Sequence, residues 1–109
     1  MNDQNKIGGI TLPRTSKLTP VATLEKAVDI LKAVGHHNRL QIVNILLKDE
    51  CQTGKLVDKL GIKQSYTSQQ LSILKNHGVL KSRREGNKTY YSLANDSIKG
   101  IVETIVKEM

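Results

Sequence analysis

Residues 65–93 read SYTSQQLSILKNHGVLKSRREGNKTYYSL, and two structural periods meet inside this stretch. The first half has helical spacing. Thr67, Leu71 and Leu74 fall in one narrow arc at 100° per residue, with Ser65, Gln69, Ser72 and Ile73 opposite them and Tyr66, Ser68 and Gln70 between. The second half alternates and turns at Gly86-Asn87, a dipeptide suited to a two-residue hairpin loop. That turn sets a register: Arg84 faces Thr89, Ser82 faces Tyr91 and Leu80 faces Leu93. Leu80, Tyr91 and Leu93 then share an inward face while Arg83 and Tyr90 fall on the other, so register and polarity agree. Charge divides along the same line. No charge occurs from Gln64 to Leu74, whereas the hairpin carries Lys81, Arg83, Arg84 and Lys88.

Upstream, the pattern is helical throughout. A first helix is expected over Pro20 to Val34, with Leu24, Ala27, Leu31 and Val34 at helical spacing and Gly35 closing it. A second, from about His37 to Lys48, is apolar on most sides through Leu40, Val43, Ile45, Leu46 and Leu47, which marks it as the central core helix. Thr53 is a plausible N-cap for a short third helix, Gly54 to Leu60, with Leu56, Val57 and Leu60 inward and Gly61 ending it. Ser65 or Gln64 caps the fourth helix, which ends near His77 beside Gly78, where His77 complements the helix dipole. Two helices joined at Gly61 by a tight turn form a helix-turn-helix signature. Downstream, Asn95 or Ser97 caps a last helix with the apolar stripe Ile98, Ile101, Val102, Ile105 and Met109.

The fold expected is mainly α with a two-stranded β-hairpin wing: a winged helix-turn-helix with four helices, the hairpin and a fifth helix. Residues 1–19 lack an apolar period and read as a flexible N-terminal arm, leaving 20–109 as one domain. The stripes on the first and last helices are surplus to the core. They predict a homodimer through Leu24, Ala27, Leu31, Ile98, Ile101, Val102 and Ile105.

The 109 residues carry a net charge of +7, and the surplus is localised. Residues 61–93 hold six basic residues against the single acid Glu85. A basic surplus placed this way points to a polyanion, and double-stranded DNA fits an uncharged amide-bearing helix beside a cationic wing. Gln69 is the first choice for a base contact, since its amide matches adenine N6 and N7, with Ser68 and Gln70 next. Ser65 suits a phosphate at the helix start and Tyr66 a sugar or thymine methyl. Arg83, Arg84 and Lys88 suit phosphates or a narrow minor groove, with Asn87 at the tip contacting backbone or tolerating positive φ.

Other classes fare poorly. The chain has no Gly-rich phosphate loop and no set of nucleophile, base and orienting acid, so it does not read as an enzyme and needs no cofactor. A winged helix acting as a protein-interaction adaptor is the alternative, but such domains usually lack a cationic wing. Cys51 is the sole cysteine, which excludes an intrachain disulfide and fits a reducing, cytoplasmic setting. No apolar run approaches the roughly 18 residues of a membrane span.

The stretches GHHNRLQIVNIL (35–46), LVDKLGIKQSYTSQQLSILKNHGVL (56–80) and RREGNKTYYSL (83–93) resemble the ArsR/SmtB group of bacterial winged-helix repressors, the wing being the most specific part. The resemblance covers roughly residues 24–106. It implies a dimeric repressor of a palindromic operator, released by a metal ion or another inducer. It places Arg39 where it orients the second helix or meets phosphate. The sensing positions depart from the family. Its Cys-x-Cys pair falls on Gln52 and Gly54, and on the last helix Asp96 remains while Ile98 and Met109 stand at ligand positions. Amide and glycine do not replace thiolates for a soft metal. Cys51 is the candidate for a one-thiol redox sensor, with Asp49 and Glu50 blunting its reactivity. His36, His37 and Cys51 make a poor metal set, because successive histidines point apart; one His is expected to cap the second helix. The inducer is not identified by the sequence.

Overall fold

The structure, a computed structural model, describes residues 6–7, 10–11 and 20–107. Within the expected N-terminal arm, β1 (Lys6–Ile7) pairs antiparallel with β2 (Ile10–Thr11). Arg14, Lys17 and Met109 lie outside the described residues.

The first helix, α1 (Val21–Val34), starts on Pro20, whose carbonyl accepts from the Thr23 and Leu24 amides at 3.0 and 3.1 Å. It closes on Gly35, and the glycine is needed there for proximity. Its φ is an ordinary −77°, but a Cβ would sit 2.9 Å from the Leu31 carbonyl oxygen. Next come α2 (His37–Leu46), α3 (Thr53–Leu60) and α4 (Gln64–Asn76), then the hairpin strands β4 (Leu80–Glu85) and β5 (Lys88–Leu93), and finally α5 (Asp96–Lys107). The Asn95 carboxamide oxygen accepts from the Ile98 amide at 3.1 Å and caps α5 as expected.

Two expected caps are corrected. Thr53 and Ser65 are inside their helices, and Gln52 and Lys63 occupy the cap positions without side-chain cap bonds. For Thr53 the reason is a strand the sequence does not announce. Residues Cys51–Gln52 form β3, which pairs antiparallel with β5, Cys51 opposite Tyr91 and Gln52 opposite Tyr90. The wing is therefore part of a three-stranded sheet in the order β3-β5-β4. With Gln52 held extended, the Thr53 hydroxyl donates toward the Thr89 carbonyl at 3.5 Å instead of capping its own helix. His36, at the start of α2, likewise makes no side-chain cap bond.

The hairpin register is the one the turn demands: Leu80 opposite Leu93, Ser82 opposite Tyr91 and Arg84 opposite Thr89. Gly86 has φ +62° and no non-glycine residue described has positive φ. Positive φ at the first turn position alone is the type II′ pattern, so Asn87 is not the left-handed residue.

The core gathers Ile42, Val43 and Leu46 from α2, Leu56 from α3, Leu71 and Leu74 from α4, Val79 and Leu80 at the wing base, and Ile98 and Val102 from α5. The expectation for α2 needs one change: Ile42 is fully buried and Leu40 is exposed. Two further corrections fall on α5. Ile98 and Val102 pack into the protomer's own core, so of the expected dimer stripe on α5 only Ile101 and Ile105 remain on the surface, joined by Val106. On α1, Val21, Leu24, Val28 and Leu31 form an exposed apolar stripe, and Ala27 is exposed beside it. No helix among the described residues is long and apolar enough to cross a membrane.

Candidate nucleic-acid interface

The inward arc of α4 behaves as its spacing requires. Thr67, Leu71 and Leu74 are fully buried, and the Thr67 hydroxyl returns a bond to the Lys63 carbonyl at 3.0 Å. This anchoring leaves Ser65, Gln69 and Ser72 exposed on the far side, where they line a shallow concavity with Tyr66 and Ser68. Donors and acceptors are thus spaced along a face without charge, the arrangement that reads base edges.

Tyr66 is half-buried and held. Asn38 Nδ2 donates to its hydroxyl at 3.1 Å, which fixes the ring as one wall of that face. Gln70 is a correction. It is only 5% exposed, and its Oε1 accepts from Arg39 Nη1 at 3.1 Å, so it is not available to a base. Arg39 is held by the same contact. Its Nε donates to the Ala33 carbonyl at 2.6 Å in the last turn of α1, so two of its nitrogens orient helices. One guanidinium therefore joins the end of α1 to the inner flank of α4.

The wing is tied to α4 by Lys75 Nζ, which donates to the Ser82 hydroxyl at 2.7 Å. At the other end of the turn, His77 Nδ1 lies 2.8 Å from the Ile73 carbonyl and satisfies a helix-terminal acceptor. The cations of the hairpin divide into two kinds. Arg84 and Lys88 are exposed and form no ion pair among the described residues; Arg84 Nε makes a 3.4 Å contact to the Gly86 carbonyl at the tip. Arg83 is fully engaged. Its Nε donates to Glu50 Oε2 at 3.0 Å, its Nη2 to Glu50 Oε1, and its Nη1 to Glu85 Oε2 at 2.6 Å. Expecting Arg83 to be a free phosphate contact is therefore corrected. Its hydrogen bonds hold the Glu50 carboxyl below the usual carboxylate range. The pair is accordingly intact at neutral pH and is lost only as acid drives the pH through that lowered value.

Cys51 is 7% exposed, packed within the core from β3 opposite Tyr91. Burial of this kind makes a thiol inert, which counts against the sensor role. His36 and His37 are exposed on the surface, apart from that core position. Among the described residues no group of three or more His, Cys, Asp or Glu side chains is placed to hold a metal ion. The amide of Gln52, the bare Gly54 and the core-packed Ile98 do not fit the metals that the family's sensors hold.

Sequence reasoning missed Asn38, Glu50 and Lys75, each of which holds a residue of this surface from another element. None of the three had a local signal in the sequence, since each meets its partner across elements.

Comparison with known proteins places the same surface in context. Residues 36–82 match the family described as bacterial regulatory protein, arsR family. The transcriptional activator HlyU of Vibrio cholerae is 36% identical over 80 residues, covering 73% of this chain and 74% of the relative. Its solved structure superposes with a TM-score of 0.75 at 34% identity, over 78% of this chain and 92% of that one. A biofilm growth-associated repressor of Agrobacterium fabrum is 37% identical over 100 residues, 91% of this chain and 80% of its own. A homodimeric winged helix-turn-helix DNA-binding domain from Mycobacterium bovis matches with a TM-score of 0.75 at 25% identity, over 85% of this chain and 86% of that one.

Proposed function

The chain belongs to the ArsR family of bacterial regulatory proteins, winged helix-turn-helix transcriptional regulators and not enzymes, and from that premise we propose that two copies bind a palindromic DNA operator and repress transcription. The observation that carries this reading is the uncharged face of α4, with Ser65, Gln69 and Ser72 exposed, set beside a wing whose Arg84 and Lys88 are exposed and form no ion pair among the described residues. The helix reads bases in the major groove, and the wing supplies backbone affinity. Dimerisation is supported by the exposed stripes on α1 and α5 and by the homodimeric Mycobacterium bovis domain. Repression is supported by the Agrobacterium relative, named a repressor over 91% of this chain. The effector that releases DNA is not a metal held by the family's two sensor sets, since their positions here lack the donors.

Selection of bound duplex from a random pool tests the reading. The expected product is an imperfect palindrome with half-site centres about one helical turn apart, bound with Kd of roughly 10 nM or tighter at physiological salt. Gln69→Ala is expected to lose about 1–3 kcal/mol of discrimination at one base position in each half-site. Equal weakening on every sequence would refute its reading role. Arg84→Ala should behave oppositely, weakening all duplexes alike and lowering the slope of log K against log salt by about one per wing. Absence of any salt-dependent binding by the wild type would overturn the proposal in favour of a protein-interaction adaptor.

A further inference from the structure

We infer that Arg83 and Glu50 form a tie that sets the pitch of the wing, Arg83 serving as a positioning residue for DNA binding rather than as a phosphate contact; the inference rests on the DNA-binding reading above. The geometry is a bridge across the sheet. In the order β3-β5-β4, Glu50 lies immediately before β3 while Arg83 lies on the outer strand β4. Their side chains meet over the intervening strand, where the Arg83 guanidinium also sits 4.4 Å from the centroid of the Tyr90 ring. Tyr90 is paired on one side with Arg83 and on the other with Gln52, so the three strands are linked in one line of side chains and backbone.

Single surface ion pairs contribute little, because two long side chains must be ordered in water. This one is better than single. Two nitrogens of the fork face the two oxygens of Glu50, a third reaches Glu85, and the flat group stacks on an aromatic ring. Paired bonds and stacking fix orientation as well as charge. The consequence is mechanical. The hairpin extends beyond β3, which pairs only with Tyr90 and Tyr91; Lys75–Ser82 and Thr53–Thr89 hold one strand each, and the Arg83–Glu50 tie is the side-chain bond that spans the sheet from β3 to β4. A tilt at its base would carry Arg84 and Lys88 away from the phosphates they must reach while α4 stays seated.

This reading has a sign opposite to simple electrostatics. Glu50 is an acid beside a DNA-facing wing, and removing such a charge ordinarily strengthens binding to a polyanion. If Glu50 holds the wing, removing it weakens binding. The test measures operator affinity by fluorescence anisotropy across salt concentrations for the wild type, Glu50→Gln, Arg83→Lys, Arg83→Glu and the exchanged pair Glu50→Arg with Arg83→Glu. Glu50→Gln and Arg83→Lys are expected to raise Kd by about three- to tenfold with an unchanged salt slope, the range that coupled contacts give. Lysine retains the charge and loses the fork, so a point-charge contact to phosphate would survive that change while a positioning contact built on the fork and the Tyr90 stack would not. The exchanged pair should recover most of the affinity that Arg83→Glu loses. Tighter binding by Glu50→Gln, full affinity in Arg83→Lys, or an exchanged pair as weak as Arg83→Glu alone would each overturn the inference. Hydrogen exchange of the full-length wild type and Glu50→Gln keeps the question open to an answer without DNA: faster exchange of the β4–β5 amides is expected, and unchanged protection would overturn it. Wild-type protein that binds no duplex would sink the DNA reading and this inference with it, whereas wild-type binding with an unrescued exchange sinks the inference alone.

Discussion

Leu31→Asp is expected to convert a dimer into a folded monomer and to abolish tight operator binding. Leu31 stands on the exposed stripe of α1 with its side of the helix open, at 51% exposure, so an aspartate there is solvated in the isolated protomer and costs the fold little. In a dimer formed through this stripe the substitution enters twice. Each copy would desolvate a carboxylate against the apolar stripe of Val28 and Leu24 or their counterparts. Leaving an uncompensated charge in a buried interface costs about 3–5 kcal/mol, so two of them move a dimerisation constant by roughly four to seven decades. Operator affinity falls with it, because a monomer holds one half-site and loses the second, intramolecular contact. Sedimentation velocity at micromolar protein and anisotropy on the selected operator measure the two effects, with circular dichroism checking that helix content is kept. A variant that sediments as a dimer and binds the operator normally would remove α1 from the interface. Ile105→Asp on α5 extends the test to the second stripe, where Ile105 is 50% exposed.

The residues that made the fold legible share one property: their information is local. The turn at Gly86-Asn87 determines the whole hairpin register because pairing propagates outward from it. Thr67, Leu71 and Leu74 identify the inward side of α4 because helical period alone separates them from Gln69. What escaped was decided by partners far away in sequence. The strand Cys51–Gln52 is two residues long, too short to alternate, and exists only because β5 offers it an edge. Gln70 has the composition of a base-reading residue and is buried instead, since Arg39 supplies a donor from 31 positions earlier. Arg83 looks like a free wing cation until Glu50, 33 positions away, is placed against it. Ile98 and Val102 belong to a stripe that period alone cannot divide between core and interface; the capping of α5 by Asn95 and its packing on the wing base turn those two inward. In each case a polar or apolar residue type was read correctly and its partner was not, which is the expected failure when side-chain bonds span different elements.

Arg39→Met is expected to be the most damaging single change outside the apolar core, and its effect should appear both in stability and in operator geometry. The guanidinium donates to Ala33 at the end of α1 and to buried Gln70 on α4. Methionine fills similar space without either donor. The α1 terminus then loses a cation that complements its dipole, and Gln70, at 5% exposure, keeps an acceptor that water cannot reach. Hydrogen bonds to charged groups contribute about 1.5–3 kcal/mol, and a buried polar group left alone costs about 1–3 kcal/mol. A loss of about 2–3 kcal/mol in urea unfolding is the expected outcome. The double variant with Gln70→Leu should be less destabilised than the sum of the single variants, because removing both partners removes the orphan acceptor as well. Additivity of the two changes would show that the contact contributes nothing in solution. The same bond connects α1, with its exposed apolar stripe, to α4, the helix proposed to read DNA, so its loss frees the angle between them. In a dimer formed through α1, the separation of the two α4 helices, and with it the half-site spacing, would follow that angle. Arg39→Met should therefore bind operators with one base pair added or removed between half-sites nearly as well as the selected spacing, while the wild type discriminates against them; retained discrimination would place the control of spacing elsewhere in the dimer.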